Sequence, residues 1–258
     1  MSAPIDVDLE VEVTRLLASF RLPTASQEMV QRIREAGHED AIPILLEVLR
    51  AEADGRKGRR VERLRKASKL PIGKTMATLD MNLFPLELQR KIRNLNKGDF
   101  RENAVNILAF GLPGTGKTHA SCAIGNALID AGHSVLFTPA YKLVQDLLAA
   151  KRDLALPKAL RKLDAYELLI LDDIGYIKQR PDEVEVLFTL MAERYERRSL
   201  MITSNLVFSE WDQIFQNPMT TAAAIDRLVH HSVILEFDVP SYRSAEKIAA
   251  PRSSDTHQ

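Results

Sequence analysis

The chain has a single cysteine, Cys122, in 258 residues. A lone thiol excludes a disulfide framework and a cysteine-based zinc site, and it suits a reducing compartment. Long apolar runs are missing as well. No stretch approaches the roughly 18 consecutive apolar residues that a membrane-crossing helix needs, and the opening residues MSAPIDVDLEVE are acidic where a secretory signal is basic and then apolar. The expectation is a cytoplasmic protein with no membrane partner. The sequence also lacks internal repeats and low-complexity tracts. Net charge is absent too: 35 Lys and Arg balance 35 Asp and Glu, so the whole molecule exerts no long-range pull on a polyanion. With 45% hydrophobic and 27% charged residues, the chain is long enough for one well-cored domain and a smaller appendage.

The balanced total conceals a segregated charge. Residues 1–49 carry four basic and nine acidic side chains, residues 50–74 carry ten basic and three acidic, and residues 75–258 carry 21 and 23. The first seventy residues have helical periodicity: Val13, Leu16, Leu17 and Phe20 fall at i, i+3, i+4 and i+7, and Ile42, Leu45, Leu46 and Leu49 repeat the pattern. Breaks at Leu22-Pro23 and Ala36-Gly37 separate helices, and a short basic helix is expected over 59–69 before Pro71 and Gly73 end it. The expected organisation is therefore a small all-α domain over 1–74, a connector over 75–104 with one amphipathic helix, an α/β domain over 105–250 and a disordered tail over 251–258.

From 105 onward short apolar runs alternate with longer amphipathic ones. Residues 105–110, 134–138, 168–172, 199–203 and 233–237 read as five buried strands, with helices near 117–131, 140–151, 182–197 and 218–230. Strands alternating with helices imply a parallel sheet covered on both faces.

Between the first strand and its helix stands GLPGTGKT, Gly111 to Thr118, which fits G-x-x-x-x-G-K-[ST] at every defined position. Glycines let successive backbone N–H groups turn inward on a polyphosphate, and the helix dipole adds positive charge at the same point. The expected nucleotide contacts are Gly111, Pro113, Gly114, Thr115, Gly116, Lys117, Thr118 and His119, with Lys117 reaching the β- and γ-phosphates and Thr118 holding Mg2+. The glycine spacing, followed by Lys-Thr, does not fit a dinucleotide fingerprint. LLILDD closes the third strand with two carboxylates: Asp172 is expected at Mg2+ and Asp173 at the attacking water. Asn205, after the fourth strand, is expected to orient water or touch the γ-phosphate. Arg227, late in the last helix, is a candidate arginine finger for a neighbouring subunit, and Arg243 a further phosphate sensor.

These residues together carry a family resemblance. GLPGTGKTH, LLILDDIGY, MITSNLVFSEWDQIF, AAAIDRLVHHS and SYR, with FRLPT at Phe20 to Thr24, resemble the IstB-type helper ATPases of insertion-sequence transposition, themselves similar to the DnaC and DnaI helicase loaders of the AAA+ class. The resemblance implies an AAA+ P-loop NTPase domain with a five-stranded parallel sheet behind a small helical domain. It further implies an ATP-dependent homo-oligomer that binds DNA, selects or remodels a target site and stimulates a cognate transposase. It supports Lys117 and Thr118 for nucleotide and Mg2+, Asp172 for the metal, Asn205 as polar sensor and Arg227 as finger in trans. Two departures stand out. Many AAA+ enzymes have Glu where Asp173 stands, which bears on the hydrolysis rate, and with so few residues after Arg243 the usual helical lid is not expected. Alternatives are a replicative helicase loader and an ATP-gated scaffold that does not hydrolyse.

Two basic clusters are candidate DNA contacts. The first holds Arg56, Lys57, Arg59, Arg60, Arg63, Arg65 and Lys66, and the second Lys151, Arg152, Lys158, Arg161 and Lys162. Residues 50–74 contain no aromatic residue, which favours duplex backbone and shape over base stacking. Cys122 reads as core, and Trp211 and Phe215 as packing. His230-His231 has no cysteine or acid at metal-ligand spacing, so zinc is not expected there.

Overall fold

A computed structural model describes residues 5–175, 180–215 and 218–241. The chain divides into two compact units, Met1–Arg63 and Leu64–Gln258. The first holds helix α1 (Ile5–Ser19), helix α2 (Pro23–Glu35) and most of helix α3 (Ile42–Ser68). The residues at helical spacing are the ones that become buried. Val13, Leu16 and Leu17 of α1 and Phe20 just after it pack with Ile42, Leu46 and Leu49 of α3, and Met29, Val30 and Ile33 of α2 cover them in part. Pro23 opens α2, where its missing N–H has no helical partner to lose. Arg34 pairs with Glu10 and Arg50 with Glu12, exposed bridges worth about 1 kcal/mol or less each.

The sequence predicts a separate basic helix over 59–69, whereas α3 is one helix of 27 residues. Gly55 and Gly58 lie inside it. An interior glycine costs about 1 kcal/mol relative to alanine but forfeits no hydrogen bond, and the Glu52–Arg56 pair at i,i+4 supports the same stretch. The helix stops at Ser68, whose hydroxyl donates to the Arg65 carbonyl and accepts from the Leu70 N–H just before Pro71.

In the second unit, helix α4 (Leu86–Leu95) is the amphipathic connector helix, with Leu88, Ile92 and Leu95 buried. There follow β1 (Asn106–Gly111), α5 (Lys117–Asp130), β2 (Val135–Pro139), α6 (Ala140–Arg152), α7 (Leu156–Asp164), β3 (Leu168–Ile174), α8 (Pro181–Arg194), β4 (Ser199–Ser204), α9 (Asp212–Phe215), α10 (Pro218–Val229) and β5 (Ser232–Phe237). All five expected strands form. Helices α7 and α9 are additional; α7 packs Leu156, Leu160 and Leu163 on the core, and α9 has four residues, too few for a periodic signal.

The strands are all parallel, in the order β2-β3-β4-β1-β5. Leu108 and Phe110 of β1, Leu169 and Leu171 of β3, and Leu200 and Ile202 of β4 share one core with α6, α8 and α10. Trp211 and Phe215 are packed into that core, the indole edge-to-face with Phe110 at 6.2 Å. The opposite face receives α5, and so closely that a Cβ on Gly125 would lie 3.0 Å from Ile170 Cδ1. Cys122 of α5 is fully buried there. No helix among the described residues is long and apolar enough to cross a membrane. The strand order matters for chemistry, because β4 lies between β1 and β3 and the carboxyl ends of all three meet at one edge.

Candidate nucleotide site

The loop between β1 and α5 depends on backbone shapes that side chains resist. Gly111 has φ 153°, and a Cβ there would sit 2.6 Å from the Phe237 carbonyl oxygen. Gly116 has φ 99°, with Phe84 Cζ 3.1 Å from where its Cβ would be. Thr115 Oγ1 donates to the Leu112 carbonyl at 2.8 Å and closes the loop on itself. Lys117 is buried, and its Nζ donates to the carbonyls of Gly111 and Leu112, the latter at 2.8 Å. The ammonium is thus held within the loop. Gly116 offers α5 no side-chain cap, so the first N–H groups of the helix and its dipole are left for an anion.

Facing the loop is a chain of hydroxyl and carboxylate groups. Thr118 Oγ1 and Thr203 Oγ1 both donate to Asp172 Oδ1 at 2.8 Å, and the Asp173 N–H donates to Thr203 Oγ1 at 2.8 Å. A β-bulge arranges this. The register between β3 and β4 shifts from Leu171↔Ile202 to Ile174↔Ser204, so β3 carries one extra residue. Asp173 takes φ 65° within the bulge, a left-handed conformation that aspartate tolerates better than most residues. The bulge turns Asp172 toward Thr118 and leaves the Asp173 side chain exposed at the rim. Asn205 follows β4, and its Oδ1 is buried with no donor among the described residues.

A cavity of about 280 Å³ opens beside the loop. Its walls are the loop from Gly114 to His119, the connector residues Lys74, Thr78, Leu79, Asp80, Leu83 and Phe84, and Val239-Pro240 beyond β5. Leu79, Leu83, Phe84 and Pro240 give it an apolar side, and Phe84 is braced edge-on against Phe237 at 5.4 Å. His119 Nε2 lies 3.0 Å from Thr78 Oγ1. Burial pushes the His119 imidazole below its ordinary value, a hydrogen bond to the Thr75 backbone carbonyl opposes this, and Lys74 acts in the same direction as burial.

The structure therefore gathers Gly111, Gly114, Thr115, Gly116, Lys117, Thr118, His119, Asp172 and Asp173 around one loop. Sequence reasoning passed over Thr203 and the connector wall. The Thr-Ser-Asn run at a strand end is the only local signal for the first, and nothing local marks the second. Arg227 is not at this chain's loop: its guanidinium covers the Phe188 ring at 4.7 Å and donates to the Ala223 carbonyl of its own helix. Arg243 and the expected tail over 251–258 lie outside the described residues. Among the cations expected at DNA, Arg56 stacks on Phe20 and pairs with Glu52, Arg59 also pairs with Glu52, Arg65 bonds Asn126 and Asp130, and Lys151 pairs with Glu185. Among the described residues, Lys57, Arg60, Arg63, Lys66, Arg152, Lys158, Arg161 and Lys162 have no such acidic partner.

A phosphate-type loop after β1, an acid-bearing β3 and a strand inserted between them in an all-parallel sheet define a P-loop NTPase fold of the AAA+ class. The model of the IstB-like ATP binding protein family matches residues 16–250, and the chain belongs to that family. A Sinorhizobium fredii protein named as an insertion sequence ATP-binding protein is 42% identical, the match covering 94% of this chain and 83% of that one. The protein named for ATP binding in insertion sequence IS21 of Pseudomonas aeruginosa is 35% identical over 92% of this chain and 90% of its own. The crystal structure of DnaI superposes with a TM-score of 0.56 at 19% identity, covering 69% of this chain and 98% of that chain. At that identity the fold is what the two share.

Proposed function

We propose that this protein is an ATP-dependent, DNA-binding ATPase that assembles on duplex DNA, selects or remodels a target site and stimulates a partner transposase. The observation that carries the nucleotide chemistry is the hydroxyl–carboxylate chain Thr118–Asp172–Thr203 at the mouth of the Lys117 loop. A hydroxyl and a carboxylate on neighbouring elements, beside a cradle of N–H groups, are the oxygen donors that Mg2+ takes when it binds together with a polyphosphate. Asn205 Oδ1, buried and lacking a donor among the described residues, fits the same polar ligand. When bound, Mg2+ would neutralise charge on the β- and γ-phosphate oxygens.

Thr118 and Asp172 would hold that ion. Lys117 would exchange two loop carbonyls for phosphate oxygens, and the apolar cavity wall at Leu79, Leu83 and Phe84 would take the base. Asp173, at the rim, would accept a proton from the attacking water, with Asn205 orienting it. Aspartate reaches one methylene less far than glutamate, so turnover is expected to be slow. Arg227 would leave Phe188, a stacking contact worth about 0.5–2 kcal/mol, to meet the γ-phosphate of a neighbouring subunit. ATP would thereby close interfaces between copies and set the unpaired cations of α3 in a row along the duplex. Single-subunit sites are weak and gain affinity when linked. The insertion-sequence names of the relatives support a transposase as partner.

Phosphate release measured with Mg2+, with and without duplex DNA, tests the enzyme. Slow, DNA-stimulated release that is lost in Lys117→Ala and Asp173→Ala is expected. No release from the intact protein would leave an ATP-gated scaffold instead. Binding isotherms with and without ATP test the assembly step, and equal DNA affinity in both would defeat it. A transposase encoded beside the gene separates this reading from that of a helicase loader.

A further inference from the structure

We propose that Glu196, His230 and His231 form a binding site for a borderline transition-metal ion of the zinc class, clipping the end of α8 to the end of α10. The three side chains each present one ligand atom, and these atoms lie within 4.8 Å of one another. They stand where chain enters β4 and β5, and in a parallel sheet that is the edge opposite the phosphate loop. The site is therefore separate from the nucleotide chemistry.

The backbone that presents these groups is fastened from several sides. Arg194, at the end of α8, is buried and donates to the carbonyls of Leu163, Tyr166 and Ser199. Two residues on, Glu196 adopts φ 55°, a left-handed conformation uncommon for a residue with a long side chain. On the other side, the His230 N–H donates to the Asp226 carbonyl, and the His231 carbonyl accepts from the Asn106 N–H at 2.7 Å, anchoring the histidine pair to β1. The imidazole rings meet edge-on, 4.3 Å between centroids. The Tyr195 hydroxyl lies 3.1 Å from His230 Nδ1. With Nδ1–H donating to the tyrosine oxygen, the ring is oriented and Nε2 keeps its lone pair for an ion, the arrangement seen around metal-bound histidines.

The donor set selects the ion. Two imidazole nitrogens and one carboxylate suit Zn2+, Co2+, Ni2+ or Cu2+, whereas Mg2+ and Ca2+ take oxygen. Bonds of about 2.0–2.1 Å in a tetrahedron bring ligand atoms to about 3.3 Å of one another. All three side chains are exposed, so rotation about their own bonds closes that gap without moving the backbone. Three protein ligands leave a position for water. The ion would join the turn after α8 to the end of α10, the two helices whose Phe188 and Arg227 are stacked.

Full-length protein stripped with a chelator and titrated with Co2+ gives a direct reading through its visible absorption, and Zn2+ competition gives the affinity. One ion per chain is expected, with affinity at least about tenfold lower in His230→Ala, His231→Ala and Glu196→Gln. These exposed substitutions should leave the circular dichroism spectrum unchanged. Zn2+ should raise the melting temperature of the intact chain and have no such effect on the His230→Ala/His231→Ala double variant. Asp172→Asn should bind Co2+ as the parent does, whatever its ATPase activity. Failure of the parent to bind Co2+, or binding retained in the double variant, would overturn the proposal without touching the nucleotide reading.

Discussion

Arg194 is the residue whose role is least visible in its neighbours along the chain. It sits at the end of an amphipathic helix, where an arginine ordinarily faces solvent, yet only 2% of it is exposed. Its guanidinium gathers three backbone carbonyls, from the last turn of α7, the loop that follows it and the start of β4. Burial lowers its pKa to about 10, which still leaves it charged at neutral pH. Arg194→Ala would strand those three acceptors, and hydrogen bonds from a charged donor contribute about 1.5–3 kcal/mol each. A loss of at least about 3 kcal/mol in urea unfolding is expected. Cys122 behaves in the opposite manner, because burial pushes its thiol up to about 12. A raised pKa keeps the thiol protonated, so at pH 8 only about one molecule in ten thousand carries a thiolate. Iodoacetamide should leave the native protein unmodified at that pH and alkylate it once urea exposes the side chain, as mass spectrometry would record.

At the scale of elements, α3 and β3 depart from the regular pattern in different ways. Helix α3 carries Gly55 and Gly58 through its middle. A Cβ at Gly58 would meet nothing within 4 Å, so Gly58→Ala should raise the unfolding free energy by about 1 kcal/mol. A loss would mean that the helix is interrupted there. Strand β3 carries the bulge, and Thr203 of β4 bridges it by accepting from the Asp173 N–H and donating to Asp172. Thr203→Val keeps the shape and removes both bonds. A loss of about 2 kcal/mol is expected, from a backbone N–H and a carboxylate each left short of a partner. A larger fall in phosphate release than in nucleotide affinity should accompany it, because the residue orients Asp172 and touches no part of the base pocket. Neither feature is legible locally. A bulge is a mismatch in count between two strands, and it has no signature in either strand alone.

For the whole molecule, neutrality is the sum of unlike parts. The basic stretch at 50–74 follows an acidic one, and folding spends part of the positive charge internally: Arg56 and Arg59 on Glu52, Arg65 on Asp130. The cations of α3 left without an acidic partner among the described residues are Lys57, Arg60, Arg63 and Lys66. Each phosphate contact adds roughly 0.9 to the slope of log affinity against log salt for duplex DNA. Replacing those four by Gln should therefore flatten the slope by up to about four such increments. Replacing Arg56 and Arg59 should change it little. Equal effects from the two sets would mean that the Glu52 pairs open on DNA.

The five strands, the helical first unit and the loop from Gly111 to Thr118 were all determined by the sequence alone. Their causes are local: apolar spacing, glycine conformations and the spacing of Lys and Thr act over a few residues. What only the tertiary structure decided is which distant groups meet. Thr203 reaches Asp172, the connector walls the cavity at Lys117 and His119, and Glu196, beyond the end of α8, reaches the histidine pair at the end of α10. Those meetings depend on strand order, on a one-residue register shift and on a left-handed turn. Each arises from packing between segments far apart in the chain, which no short window of sequence encodes.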